Sequence, residues 1–170
     1  MLLVVVVTHR TLPEITHRVF FDISVNGKPV GRIIFGLFET NSPEAARNFR
    51  KLATCQVEGL CYKGSVMHRI IPNFAFQGGD IVNGDGTGGS SIYGSRTFKS
   101  TMKEVVKFNR PHLLAVSASK PTEASSQFFV TTVKTQWLTG KHTPFGMVLE
   151  GTDVVNEIER HGTYGGEPRA

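Results

Sequence analysis

Residues Val66 to Gly79 read V-M-H-R-I-I-P-N-F-A-F-Q-G-G. One cation, Arg69, stands in a run that is otherwise almost wholly apolar, close to Ile70, Ile71, Phe74 and Phe76. A guanidinium cannot shed its charge, so packing it among such residues is costly unless something uses it. The run divides at Pro72-Asn73 into two short strands, about Met67–Ile71 and Ala75–Gly78. If these pair, Arg69 and Gln77 turn their polar heads toward one pocket. The rest of the chain is read as the scaffold for that hairpin.

At 170 residues the chain suits one compact domain with a true hydrophobic core. Its 12 phenylalanines and 18 glycines fit a β-rich fold, in which rings fill the interior and glycines make corners. The net charge of +5 comes from Lys and Arg interleaved with acids. This reads as a solvated basic surface rather than a nucleic-acid patch. Cys55 and Cys61 lie in one loop, where a disulfide would staple little, so they are expected to be reduced thiols. That places the protein in the cytoplasm or another reducing compartment. No apolar run approaches the roughly 20 residues of a membrane span. Leu2–Val7 is too short for one and lacks the flanks of a signal peptide, so no membrane partner is expected.

In chain order, Leu2–Val7 is a β-branched run and a natural strand. Thr8–His17 is a polar connector, and residues 1–18 are taken as an N-terminal extension to a single domain over 19–170. Val19–Val25 and Gly31–Phe38 flank the Asn26-Gly27 turn signal. Ser42-Pro43-Glu44 opens a helix, with the Ser42 hydroxyl as cap, and Ala46, Phe49, Leu52 and Ala53 on its inner face. Strands are further expected at Leu113–Ser117, Gln127–Thr131 and Phe145–Leu149. Thr152 is expected to cap a last helix, ended by Gly162. About eight strands and two helices without βαβ alternation predict a mainly β fold, a closed antiparallel barrel capped by the helices.

Gly84-Asp85-Gly86-Thr87-Gly88-Gly89 matches G-x-G-x-x-G, but Ser90–Gly94 is poor material for the helix a dinucleotide site needs, so no cofactor is expected. The 6 histidines show no metal-ligand spacing, and no metal is expected. Neither cysteine has an identifiable base partner, and there is no G-x-S-x-G elbow. What remains is a second cluster, Ser126–Thr131 followed by Thr135–His142. Its Trp137-Leu138 pair in a loop suggests surface aromatics beside an apolar-binding pocket.

Together these motifs resemble the cyclophilin family. His68–Asp80 reads H-R-I-I-P-N-F-A-F-Q-G-G-D, close to the family signature. The glycine loop, Ser126-Gln127-Phe128-Phe129 and Trp137-Leu138-x-Gly140-Lys141-His142 follow in family order, and the likeness runs from about Val19 to Gly162. The resemblance implies an eight-stranded antiparallel barrel with two helices, peptidyl-prolyl cis-trans isomerase activity and binding of cyclosporin-type ligands. It implies that Arg69, Phe74, Gln77, Phe129, Leu138 and His142 form the prolyl site. His68, Ala75, Gly86, Ser117, Ala118, Ser119, Gln127 and Trp137 extend it as substrate- or cyclosporin-binding residues. X-Pro peptides and proteins are the implied partners of a monomer without cofactor, assisting folding or conformational switching. A proline-recognising adaptor in a larger protein or ribonucleoprotein assembly is the alternative.

Three departures qualify the resemblance. Ala75 stands where the family usually has methionine, and Ser117-Ala118-Ser119 replaces Ala-Asn-Ala. Retained activity, at or below the family level, and weaker cyclosporin binding are therefore expected. The chain also lacks the family's apolar C-terminal strand, which pairs with the first. Either Leu2–Val7 fills that place from the other terminus, or the chain is truncated or its extension pairs elsewhere.

Overall fold

The computed structural model describes residues 12–169. Seven strands form one antiparallel sheet: β1 (His17–Val25), β2 (Lys28–Leu37), β3 (Arg69–Ile71), β4 (Ala75–Gly78), β5 (Leu113–Val116), β6 (Phe128–Thr131) and β7 (Pro144–Glu150). Their order across the sheet is β1-β2-β7-β5-β6-β4-β3, a half-barrel completed by helices α1 (Pro43–Ala53) and α2 (Thr152–Arg160). These are seven of the eight expected strands. The eighth, Leu2–Val7, lies outside the described residues, and among those residues the barrel is not closed. Between β1 and β3 runs a groove of about 450 Å³, lined by Ile23, Val25, Met67, Ile70 and Ile158 among others.

Successive side chains of a strand point to opposite faces, and here both faces are buried. The inner face carries Phe76, Leu114, Val116, Phe128 and Val130, packed with Ile33, Phe35, Phe49 and Leu52. Phe49 of α1 sits at its centre, with ring centroids 5.2–5.6 Å from Phe21, Phe35, Tyr62, Phe128 and Phe145. The outer face carries Ala75, Leu113, Ala115 and Phe129, covered by Phe108, with Leu12, Phe74, Leu138 and Met147 packed against them.

The helix starts differ from expectation. The Ser42 hydroxyl does not cap α1: it donates to the Pro144 carbonyl at 3.1 Å and ties the helix to β7. Helix α2 is preceded by Gly151 at φ 91°, not capped by Thr152. A side chain at Gly151 would collide with the Arg32 carbonyl, so the sharp entry into α2 excludes a capping residue there. The helix ends at Arg160, before Gly162.

Cys55 and Cys61 are not free thiols. They form a disulfide with Cα atoms 4.7 Å apart. Cys55 takes a left-handed backbone, φ 53°, and Val57 bridges Leu60, folding the loop back so that the two sulfurs meet. Next to it Tyr62 is buried and donates its hydroxyl to the Ser126 carbonyl at 2.6 Å.

Candidate active site

The strand register aligns Arg69 opposite Gln77, Gln77 opposite Phe129 and Phe129 opposite Ala115. This row crosses the outer face, because its neighbours Ile70, Phe76, Phe128 and Val116 are the inner residues. The sequence suggested a cation packed among apolar residues. Instead Arg69 is exposed. It opens a three-residue strand, and alternation sends Ile70 inward and Arg69 outward. Among the described residues its guanidinium has no ion pair.

Beside Arg69 lies a cavity of about 90 Å³ lined by Ile71, Phe74, Ala75, Gln77, Ser117, Phe129, Leu138 and His142. All six residues expected to form the prolyl site meet here, with Ala75 and Ser117. Ile71 is an addition that sequence reading did not supply, visible only once β3 faces β4. Phe129 forms the floor, stacked on Phe108 at 6.1 Å and met edge-on by His142 at 5.1 Å. His142 is fixed by a 3.1 Å contact between Nδ1 and the Val116 carbonyl. Trp137 is 59% exposed and stacks on Phe74 at 6.2 Å, so its ring extends the apolar rim outward.

The Gln77 amide is held from two sides. Its Nε2 donates to the Ser117 hydroxyl at 2.8 Å and to Gln127 Oε1 at 2.9 Å. Gln127 in turn donates to the carbonyls of Gly86 and Gly88, both at 2.8 Å. With both amide protons engaged, Gln77 offers its Oε1, an acceptor, to the groove. A shallower hollow of about 440 Å³ continues past Gln77, lined by Gly86, Gly88, Arg96, Ala118 and Gln127 among others. Ser119 is exposed and lines neither hollow. His68 lines neither as well: it lies beneath Gly86, where an added Cβ would stand 2.9 Å from its Nε2. Burial pushes its imidazole below the ordinary value, Asp80 and Asp85 pull it back, and Arg69 adds to the lowering.

Asp80 organises the glycine loop. Its Oδ1 accepts the N–H groups of Val82 (3.1 Å) and Asn83 (2.9 Å), and its Oδ2 those of Asp85 (3.3 Å), Gly86 (2.9 Å) and Gly88 (2.9 Å). Burial opposes its ionisation, but the N–H groups of Asn83, Gly88, Val82 and Gly86 outweigh that and hold the carboxyl well below the usual range. Sequence reading missed this role, although an aspartate just ahead of Asn-Gly turns is a known signal for side-chain-to-backbone bonds. No helix follows Gly89, so the loop lacks the geometry of a dinucleotide site.

The fold and site define a β domain with an outer-face groove, apolar at one end and with the Arg69 guanidinium, which has no ion pair among the described residues, beside it. The model of the family described as cyclophilin type peptidyl-prolyl cis-trans isomerase/CLD matches residues 20–170, and the chain belongs to that family. It is accordingly a peptidyl-prolyl cis-trans isomerase by family, with proline-containing peptides as its class of substrate.

Proposed function

We propose that the chain isomerises X-Pro bonds in peptides and proteins, assisting folding or conformational switching, with the outer-face groove as its catalytic site. The exposed Arg69 guanidinium, without an ion pair among the described residues, stands beside the Phe74–Ala75–Phe129–Leu138 hollow and carries this reading. Rotation about an X-Pro bond faces a barrier of about 18–20 kcal/mol, because resonance draws on the nitrogen lone pair. Twisting breaks that resonance and leaves the nitrogen pyramidal and basic. A donor aimed at it favours the twisted state over either planar one. Arg69 is permanently charged and suits that task. The hollow takes the pyrrolidine ring, Gln77 Oε1 accepts a substrate N–H, and His142 shapes the edge. Trp137, Gly86, Gln127 and Ala118 extend contact along the chain.

The test is a protease-coupled isomerisation assay of the wild type and Arg69→Ala. Loss of one such donor costs about 10²–10³ in rate. A wild type without activity leaves the adaptor reading, a proline-binding module in a protein or ribonucleoprotein assembly. Cyclosporin-type ligands belong to the same groove, with affinity lowered by the small Ala75. The protein acts as a monomer. Its location in this reading is the cytoplasm; fractionation checks it.

The closed eight-stranded barrel belongs to this reading: the groove beside β1, lined by Ile23, Val25, Met67 and Ile158 among others, is where a closing strand would pair with β1. Leu2–Val7 lies outside the described residues. Deleting residues 1–11 should speed amide exchange along β1; unchanged exchange would remove the proposal.

A further inference from the structure

The direction of Arg69 is not set by the groove residues around it. It is exposed, has no ion pair among the described residues and carries a long flexible stem. One contact does restrain it. The chain after α2 turns back along the outer edge of β3: Ile70 donates its N–H to the Gly166 carbonyl at 2.8 Å, and Thr163 donates to the Ile70 carbonyl at 3.1 Å. The turn is closed by the Gly166 N–H on the Thr163 carbonyl at 3.0 Å and the Thr163 hydroxyl on the Glu167 carbonyl at 2.9 Å. Gly166 is buried at its tip with φ 90°. A Cβ there would stand 3.0 Å from Arg69 Cγ, 3.3 Å from Nε and 3.6 Å from Ile71 Cγ1. The bare backbone of Gly166 is thus the surface against which the Arg69 stem lies.

We infer that Gly166 is a positioning residue for Arg69: the missing side chain lets the stem lie flat along β3, which aims the guanidinium at the prolyl nitrogen. The inference rests on the role proposed for Arg69. A methyl group at this point must displace the stem by a few tenths of an ångström at Cγ, and the lever of the side chain enlarges that shift at the guanidinium. The adjacent Gly165 provides the control, since a Cβ there meets only the Thr163 hydroxyl at 3.9 Å.

The experiment measures prolyl exchange by NMR over a peptide titration for wild type, Gly165→Ala, Gly166→Ala, Arg69→Ala and Arg69→Ala/Gly166→Ala. Gly166→Ala is expected to lower kcat about 10- to 100-fold, the effect of a misplaced catalytic group, with KM little changed. It should also shift the Arg69 Nε–H resonance, while Gly165→Ala does neither. In the Arg69→Ala background Gly166→Ala should remove nothing further. A folded Gly166→Ala with unchanged kcat overturns the inference, as does an equal loss in both backgrounds. Full activity in Arg69→Ala overturns the role of Arg69 itself, a separate outcome. Should Gly166→Ala not fold, Thr163→Ala loosens the same turn by removing the bond to Glu167 and enters the same cycle.

Discussion

Replacing Asp80 by asparagine keeps the shape of the side chain and turns one acceptor oxygen into a donor. Five backbone N–H groups converge on the carboxylate, two on Oδ1 and three on Oδ2. The amide therefore presents its NH₂ to at least two N–H groups. Two bonds to a charged acceptor are worth about 1.5–3 kcal/mol each, and the other three weaken when the charge goes. Val82 and Asn83 lie where water can reach them, so the lower end applies: a loss of about 3 kcal/mol from a total typically of about 5–15. The pH dependence follows from the depressed folded pKa of Asp80. A depressed carboxylate contributes stability fully present above the unfolded value, about 3.9, and lost as pH falls below it. Urea denaturation should show a constant gap between wild type and Asp80→Asn from pH 7 to pH 5, narrowing below about pH 4. A gap that persists unchanged into strong acid, or one that closes already between pH 7 and 5, would refute the role given to the charge.

Ser117→Ala leaves the Gln77 amide with Gln127 as its one partner. It should cost about 1 kcal/mol and change kcat/KM by no more than about fivefold; a larger loss in the isomerase assay would mean that Ser117 touches substrate. Ala75→Met restores bulk to the hollow, and by added apolar contact should tighten a cyclosporin-type ligand about tenfold in calorimetry. Weaker binding would show that the hollow is needed open. Tyr62 is buried, and burial raises its hydroxyl well above the ordinary value. Its contribution is present below the unfolded pKa of about 10 and lost as pH rises beyond it. Tyr62→Phe should lower stability by about 1 kcal/mol at pH 7 and flatten the alkaline decline seen above about pH 10. A decline as steep in the variant as in the wild type counts against it.

Most strands were legible because alternation and turn residues act locally: Asn26-Gly27 marks the β1–β2 hairpin, and Pro72-Asn73 divides β3 from β4. The site was legible where a motif carried it, and the pairing of Arg69 with Gln77 follows from their positions on two short strands. Other features depend on contacts between distant segments. Whether Arg69 points in or out depends on which face of β3 meets Phe76 and its neighbours. Ser42 turns its hydroxyl toward Pro144, across 102 residues of chain, and makes no cap bond to its own helix. Cys55 and Cys61 pair because the loop folds back between them, which spacing alone does not show. The hydroxyl of Ser117 is a partner for Gln77, two strands away, a pairing that only the sheet order brings about.

The sheet carries the interior on one side and the groove on the other, through alternate residues of the same strands. Phe76 and Val130 belong to the inner cluster, while Gln77 and Phe129 line the groove, Phe129 also packing in the outer cluster. The groove can therefore change by substitution at positions such as Gln77 without touching the inner cluster. Changes in length are another matter. One residue inserted within β4, between Ala75 and Gln77, would turn the amide of Gln77 into the interior. Lineages descended from such a chain should vary in composition along these strands and in length only between them.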